Sequence, residues 1–350
     1  METRHRVYVE DARTLEAIED DSVELVVTSP PYPMIEMWDD LFTSLDPAVG
    51  DRLQAEDGAG AFELMHEALE PVWAELERVL VDGGIACINV GDATRSVDGS
   101  FRVYQNHARV IEAFEALGFE PLPEILWRKP NNSGTKFLGS GTIPPNAYVT
   151  LEHEYILVFR NGSKSRDFEP KDPDRYEAAY FWEERNRWFS DVWTDLRGEG
   201  QSLENDDLRD RSGAYPFEVP YRLINMYSVY GDTVLDPFWG TGTTTRAAMV
   251  AARNSVGYEL EGDFVDEFDR HLPDLPDFSR TVVQGRLRDH REFVAAAHKE
   301  GREFDYRAEG ADLPVMTKRE RALQLYQIEE IEQMSSGYRL GHEPASGVEN

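Results

Sequence analysis

The sequence predicts an α/β protein with a mostly parallel sheet, because two ligand-binding motifs each follow a short buried strand. The first motif is Thr-Ser-Pro-Pro-Tyr at residues 28–32, directly after the apolar run 25–27. The second is Asp-Pro-Phe-Trp-Gly-Thr-Gly-Thr-Thr at residues 236–244, which leads into a helical pattern. Open α/β sheets bind ligands at the carboxyl ends of their strands, and the first motif lies directly after such a strand.

The first elements of the chain form a predicted βαβ unit. An alternating run at residues 6–11 predicts a strand that ends in Asp11, residues 12–18 favour a short helix, and residues 23–27 predict the second strand. A right-handed crossover places both strand ends at one edge of the sheet, so Asp11 and Ser29 should face the same crevice. A helix N-cap is the other role open to Asp11.

The Thr-Ser-Pro-Pro-Tyr motif predicts a rigid site for a flat ligand that carries an amino group. Pro30 and Pro31 lack N–H groups and have a restricted φ, so their carbonyl oxygens remain available as acceptors. Ser29 adds a hydroxyl group and Tyr32 an aromatic face. A Pro-Pro turn after a core strand is the structural alternative, with roughly equal weight for an isolated motif of this kind.

The glycine-rich motif predicts a second binding site. Gly240 and Gly242 allow the backbone to approach a ligand closely, and free N–H groups at the helix start can bind its polar end. The next strand, at residues 254–260, places Glu259 19 residues after Gly240, where a carboxylate can bind both ribose hydroxyls. A Gly-x-Gly alone would also fit a nicotinamide enzyme or a packing turn, but the longer motif is more specific.

Hydrophobic periodicity predicts the remaining elements. Helices are expected at residues 62–80, 105–117 and 220–230, and strands at 85–90, 124–128 and 154–159. Beyond residue 262 the pattern indicates a strand at 281–284 and an acidic amphipathic helix at 318–334, and the last ten residues are expected to be disordered.

Charge is unevenly distributed along the chain. The net charge is −31 and only 6 of the 36 basic residues are lysines, which we interpret as adaptation to a high-salt cytoplasm. Residues 128–171 instead carry seven basic and four acidic side chains, and residues 161–215 combine arginines with aromatics. This pattern suits contact with phosphates and bases, although a packed subdomain explains the aromatics as often. The candidate DNA contacts are Lys129, Lys136, Arg166, Arg185 and Arg187.

The single cysteine, Cys87, lies in an apolar run, so no disulfide framework is expected and a reducing compartment fits. No apolar run approaches about 18 residues, and the first residues do not resemble a signal peptide. We therefore expect a cytoplasmic protein with no membrane span and no metal-ligand cluster.

Taken together, the two motifs resemble those of the amino-methylating DNA methyltransferases that use S-adenosylmethionine. Residues 28–32 are similar to the catalytic motif of that family and residues 236–244 to its cofactor loop. The catalytic motif comes first, as in the permuted β class. Over roughly residues 5–262, the resemblance implies a Rossmann-like fold. It would have a mostly parallel seven-stranded sheet, helices on both faces and an inserted target-recognition region.

The resemblance also assigns roles to individual residues. Asp11 matches the residue that contacts the cofactor adenine, and Glu259 matches the acid that binds its ribose. Tyr215 lies in the segment that helps to hold the methionine moiety, where the family usually has a histidine. The implied catalytic residues are Ser29, Pro30, Pro31 and Tyr32. The implied cofactor-binding residues are Asp11, Thr28, Asp236, Phe238, Gly240, Gly242, Thr243, Thr244 and Glu259.

Four segments follow from this assignment. They are a catalytic half (1–130), late strands with the target-recognition region (131–215), a cofactor-binding half (216–262) and an acidic C-terminal extension (263–350).

A serine before the prolines is similar to the cytosine-N4 branch, so the implied activity is site-specific methylation of the N4 amino group of cytosine in double-stranded DNA. Residues 33–38 and the acidic composition resemble methylases of halophilic microbes that act on C-T-A-G sites. Adenine-N6 methylation uses the same hydrogen-bond acceptors and remains an alternative. RNA or protein methylation and a DNA-binding regulator without activity are further alternatives. Methylation of the ring carbon is not expected, because Cys87 is not part of a Pro-Cys pair. A paired restriction endonuclease and the oligomeric state are left open.

Overall fold

The computed structural model describes residues 1–129, 138–197 and 213–345. The strands are β1 (Glu2–Val9), β2 (Val23–Thr28), β3 (Leu80–Val90), β4 (Ala93–Val97), β5 (Ser100–Tyr104), β6 (Glu120–Arg128), β7 (Leu138–Gly139), β8 (Ala147–Tyr148), β9 (His153–Arg160), β10 (Val192–Trp193), β11 (Thr233–Asp236), β12 (Asn254–Glu259), β13 (Tyr306–Ala308), β14 (Leu313–Val315), β15 (Tyr326–Met334) and β16 (Gly337–Pro344).

The helices are α1 (Asp39–Leu45), α2 (Pro47–Gln54), α3 (Gly58–Val79), α4 (Asn106–Ala116), α5 (Pro173–Glu177), α6 (Trp182–Trp188), α7 (Glu218–Tyr227), α8 (Thr243–Val250), α9 (Gly262–His271) and α10 (Leu275–Lys299). Short 3₁₀ helices lie at Glu36–Trp38, Leu272–Asp274 and Lys318–Glu320. Within the described residues, no helix is long and apolar enough to cross a membrane.

A ten-stranded sheet with the order β10-β6-β9-β3-β2-β11-β12-β1-β16-β15 forms the centre of the fold. Its seven central strands, from β6 to β1, are parallel except for β9, which runs antiparallel to both neighbours. The predicted α/β fold with a mostly parallel sheet is confirmed. The sheet nevertheless has ten strands instead of seven, because β10 is added at one edge and the β15–β16 hairpin at the other.

Helices cover both faces of this sheet, because alternate residues of its central strands point to opposite sides. Leu25 and Val27 of β2 belong to one buried core, which includes apolar side chains of α7, α8, α9 and α10. Val26 belongs to the other, which includes side chains of α3 and α4. The apolar run before residues 28–32 is therefore a central strand that is buried on both faces, and it fixes where the Thr-Ser-Pro-Pro-Tyr motif begins.

The helix predicted at residues 12–18 is absent, because side chains of α3 bind the backbone groups that a helix would use. Leu15 N donates to Glu75 at 2.8 Å, and Arg78 donates to the carbonyl oxygens of Leu15 and Ile18 at 3.0 Å each. The segment is thus held as a series of turns against α3.

The predictions beyond residue 262 are also wrong. Residues 281–284 lie inside α10, where Val283 and Leu287 share a buried face. Residues 326–334 form β15 instead of a helix, and β16 continues into the last ten residues as far as Pro344. The reason is long-range pairing, since the hairpin covers an edge that β1 would otherwise expose. Residues 346–350 lie outside the described residues, so the prediction for the last ten residues is not tested there.

Candidate active site

Side chains from distant parts of the sequence lie in a row at one edge of the sheet. In sheet order, Asp11 follows β1, Glu259 ends β12, Asp236 ends β11, Ser29 follows β2 and Gly91 follows β3. Neighbouring strands are about 4.8 Å apart, so three spacings, or about 14 Å, separate the first strand of this row from the strand that leads to Ser29. The topology thus places the two predicted motifs side by side.

Asp236 connects the two motifs directly. Thr28 donates from its hydroxyl to Asp236 Oδ1 at 2.6 Å, and the N–H of Phe238 donates to the same oxygen at 3.1 Å. Asp236 is only 3% exposed and has no ion-pair partner in the described part of the chain. Burial raises the pKa of this carboxyl from 3.8 to about 6. A buried carboxylate of this kind is suited to a ligand that brings its own cation.

The two predicted glycines have different functions in the loop. Both have a positive φ, of 52° at Gly240 and 74° at Gly242. A Cβ on Gly242 would lie 2.6 Å from atoms of Trp239 and Phe268, so this glycine is required for packing. A Cβ on Gly240 would meet only the Phe238 carbonyl oxygen, at 3.9 Å, so this position opens onto free space. Gly240 therefore provides room beside the loop that a ligand can enter.

The start of α8 is hydrogen-bonded to β2. Thr244 donates to the carbonyl oxygen of Val27 at 3.2 Å and also bonds the hydroxyl of Tyr215. The hydroxyl of Thr243 lies 3.2 Å from that of Thr241. Tyr215 is buried beside Asp236, next to the glycine-rich loop.

Glu259 holds the glycine-rich loop from the next strand. Its Oε2 accepts from the N–H of Gly240 at 2.7 Å and its Oε1 from the N–H of Glu261 at 3.0 Å. Burial raises the pKa of this carboxyl, while the backbone N–H donors oppose the shift. Each oxygen retains a lone pair for a ligand hydroxyl.

The end of the row beside Glu259 is apolar and open. Val9 and Leu260 are 52% and 49% exposed at the ends of adjacent strands. Asp11 is engaged with Arg13, whose Nη2 lies 2.7 Å from its Oδ2. Although burial opposes it, this pairing holds the pKa of Asp11 below its usual value. The exposed aliphatic side chains of Val9 and Leu260 would pack favourably against a flat ring, because such a contact removes them from water.

A second cluster surrounds Ser29 at the other end of the row. The hydroxyls of Ser29 and Tyr32 are 3.0 Å apart, and Tyr32 donates to Glu154 Oε2 at 3.1 Å. The Nδ2 of Asn89 lies 2.8 Å from both the Tyr32 hydroxyl and Glu154 Oε2. Lys129 Nζ donates to Glu154 Oε1 at 2.7 Å. Ser29 and Tyr32 are thus joined to three side chains from β3, β9 and the end of β6.

Gly91 leaves room for this cluster, because a side chain at this position would make its neighbours shift. A Cβ at this position would lie 3.0 Å from Tyr32 Cε2 and 3.3 Å from Glu154 Cγ. Burial raises the pKa of Tyr32 well above its usual value, and the neighbouring Glu154 adds to the shift. Tyr32 is therefore a neutral phenol near pH 7, with one proton to donate.

The predicted DNA contacts that the structure describes have different surroundings. Lys129 belongs to the cluster around Ser29, and Lys136 lies outside the described residues. Arg185 and Arg187 are exposed on α6, where Arg185 lies over the Phe189 ring, and both remain candidates.

The prediction for Arg166 is corrected by the structure. Arg166 forms two hydrogen bonds to Asp232, at 2.6 and 2.9 Å, and Asp232 directly precedes β11. This position is at the amino ends of the parallel strands, opposite the row described above. Arg166 is therefore a structural ion-pair partner away from the site.

Asn89 and Glu154 are site residues that the sequence did not single out. Asn89 interrupts the apolar run of residues 85–90 in β3, and Glu154 lies at the start of β9, directly before the apolar run of residues 155–159. A polar side chain within or beside an apolar run was a usable signal for both. For Glu154 it also required knowing that β9 is reversed, because only then does the start of a strand lie beside the ends of its neighbours.

Comparison with known proteins identifies a matching family and two similar methyltransferases. A protein-family model described as DNA methylase, whose name covers N6 and N4 methyltransferases, matches residues 23–270. The type II methyltransferase M.MthZI of Methanothermobacter thermautotrophicus is 50% identical over 328 residues, which cover 93% of this chain and 91% of that protein. M.MjaI of Methanocaldococcus jannaschii is 53% identical over 270 residues, covering 74% of this chain and 88% of that protein.

Two solved structures are similar to this fold. The TTHA0409 protein of Thermus thermophilus, a candidate DNA modification methylase solved with S-adenosyl-L-methionine, has a TM-score of 0.60 and 31% identity. The match covers 78% of this chain and 95% of that one. The cytosine-N4-specific PvuII DNA methyltransferase has a TM-score of 0.51 and 14% identity, over 81% and 94% of the two chains. The second likeness concerns the fold alone.

Proposed function

The chain belongs to the DNA methylase family, and on that premise we propose that it methylates the N4 amino group of cytosine in duplex DNA. The observation that carries the proposal is the position of the Ser29 hydroxyl. It lies at the end of β2, one residue from Thr28, whose side chain binds the buried carboxylate of the cofactor loop. The acceptor for a base and the anchor for a methyl donor are thus adjacent.

The chemistry required of Ser29 follows from the weakness of an aromatic amine as a nucleophile. Its lone pair is delocalised into the ring, so acceptors at the Ser29 hydroxyl and the Pro30 carbonyl would hold its hydrogens and direct the lone pair at the methyl carbon. Pro31 keeps the turn stiff. A base in a duplex cannot reach this edge of the sheet without leaving the stack, and the half-buried Tyr32 ring is available to contact the flipped base.

S-adenosylmethionine is the methyl donor, and when bound it supplies a methyl group that its sulfonium has already activated. Asp236 would hold the ammonium of the methionine moiety, which explains a buried carboxylate that has no cationic partner among the described residues. Glu259 would bind the ribose hydroxyls, while Val9 and Leu260 would contact the adenine. Asp11, Phe238 and the helix start at residues 243–244 complete the proposed pocket.

Cytosine is favoured over adenine because a serine occupies the position before the prolines, where the family also uses Asp or Asn. Adenine-N6 methylation is the second candidate, since the same acceptors would hold its amino group and the family covers both activities. Nucleoside mass spectrometry of DNA methylated by the purified protein separates them. We expect N4-methylcytosine, and N6-methyladenine as the sole product would overturn the proposal.

The finer assignments extend this proposal. We propose C-T-A-G as the recognition site, from the resemblance of residues 33–38, and a halophilic source from the acidic, lysine-poor composition. A paired restriction endonuclease is consistent with the type II methyltransferases that the chain resembles. Sequencing the DNA of a host that lacks other methylases, after expression of this protein, tests the site. Modification at other sequences would refute C-T-A-G.

A further inference from the structure

The cluster around Ser29 contains a directed chain of hydrogen bonds. Ser29 Oγ lies 3.0 Å from the Tyr32 hydroxyl, which donates to Glu154 Oε2 at 3.1 Å. Glu154 Oε1 in turn accepts from Lys129 Nζ at 2.7 Å. Asn89 donates both to the Tyr32 hydroxyl and to Glu154 Oε2, at 2.8 Å in each case. The chain therefore connects the proposed base acceptor with a carboxylate held between a lysine and an amide.

The carboxylate determines the direction of every bond in this chain. An ionised Glu154 can only accept, so the single hydroxyl proton of Tyr32 points to Glu154. The reverse arrangement would place two bare lone pairs against each other at 3.1 Å. With its proton used in this way, the Tyr32 oxygen can only accept from Ser29. The proton of Ser29 then points to Tyr32, away from the base. Asn89 Nδ2 also lies 3.4 Å from Ser29 Oγ and faces one of its two lone pairs, so the other lone pair is free for the base.

We propose that Glu154 is a positioning residue that makes Ser29 a hydrogen-bond acceptor for the amino group of the target base. The inference rests on the proposed methylation of an exocyclic amine. Without the carboxylate, the Ser29 hydroxyl could turn its proton towards the base, and a donor would then face a donor. Tyr32 transmits the polarity, and Gly91 allows the required approach of Tyr32 and Glu154.

Both oxygens of Glu154 are engaged as acceptors, which makes Glu154→Gln a sharp test. If the amide oxygen of the glutamine faces Lys129, its NH₂ group faces Tyr32 and Asn89 and reverses the chain. If it is turned the other way, the NH₂ group faces the ammonium of Lys129. Removing that ammonium with Lys129→Met allows the glutamine to present its oxygen to Tyr32, so the second change should restore part of the lost activity.

The experiment measures the single-turnover methylation rate at saturating DNA and cofactor. We expect Glu154→Gln to lower the rate roughly 10- to 100-fold, while calorimetric affinity for S-adenosylmethionine changes less than about twofold. Tyr32→Phe should lower the rate similarly, because it retains the ring but breaks the chain. Adding Glu154→Gln to Tyr32→Phe should cost nothing further, since Glu154 acts through Tyr32. Glu154→Gln with Lys129→Met should be several-fold faster than Glu154→Gln alone.

Glu152→Gln is the matched control. Glu152 forms an exposed ion pair with Arg128 at 3.2 Å, two residues from Glu154, and the rate should stay within about twofold of wild type. A Glu154→Gln rate equal to wild type would overturn the inference. A rate for Tyr32→Phe with Glu154→Gln that is the product of the two single losses would also overturn it. So would a rate for Glu154→Gln with Lys129→Met that is no higher than that of Glu154→Gln alone. These ratios apply whichever base is methylated, whereas the identity of the wild-type product tests the proposed function separately.

Discussion

Replacing Asp236 with asparagine should stabilise the cofactor-free protein while it abolishes cofactor binding. Burial raises the pKa of Asp236 from 3.8 to about 6, which corresponds to about 3 kcal/mol at about 1.4 kcal/mol per pKa unit. Because the folded state favours the protonated carboxyl, burial of this group does not lower the free energy of unfolding at low pH. Stability is lost as the pH rises from about 4 to about 6 and stays lost above that range. An asparagine Oδ1 can still accept the bonds from Thr28 and Phe238.

The measurement is urea unfolding of wild type and Asp236→Asn between pH 4 and pH 8 at constant salt, with and without S-adenosylmethionine. Without cofactor, the variant should gain up to about 3 kcal/mol over wild type above pH 6, and the gain should shrink towards pH 4. Added cofactor should stabilise only the wild type. A variant that is no more stable than wild type at pH 8, or a difference that does not depend on pH, would refute the reasoning.

Two further predictions concern glycines and the corrected arginine. Gly257→Ala should lower the melting temperature, because its Cβ would lie 2.2 Å from the buried Trp239 ring. Gly240→Ala should mainly weaken cofactor binding, because its Cβ would enter the free space beside the loop. The backbone strain of this second change should cost only about 1–2 kcal/mol. Equal cofactor affinity of wild type and Gly240→Ala by calorimetry would exclude a ligand beside that loop. Arg166→Ala should reduce stability by up to about 3–5 kcal/mol, since it leaves the buried Asp232 unpaired, with DNA affinity unchanged in a gel-shift titration. Weaker DNA binding by the folded variant would return Arg166 to the recognition surface.

The two ligand motifs could be predicted from the sequence because each is local. A buried strand, a stiff or glycine-rich turn and a polar side chain lie within about ten residues at 25–32 and 234–244. Their shared edge then follows from the parallel topology, which the βαβ rule supplies. Prediction from the sequence therefore succeeded for the fold, where local sequence determines the conformation, while the roles of the motif side chains stay predictions.

The remaining features depend on partners that are distant in the chain. The turns at residues 12–18 exist because Glu75 and Arg78 bind their backbone groups, and no pattern within those residues shows this. Glu154 becomes a site residue only through the reversed strand β9. Arg166 was predicted to bind DNA from its composition alone, but Asp232 holds it at the far edge.

The β15–β16 hairpin has a consequence for how far the chain can be truncated. The family match ends at residue 270, and every proposed catalytic and cofactor residue lies before that point. However, β16 pairs with β1 from Glu2 to His5, the terminal amine of Met1 donates to the His342 carbonyl at 2.9 Å, and Ile328 is tied to Ser279 of α10. A fragment that ends near residue 270 would retain all of the proposed site residues but expose the edge of β1, on which copies of the fragment could add to one another. A shortened form of the chain must therefore retain the β15–β16 hairpin if this edge is to stay covered.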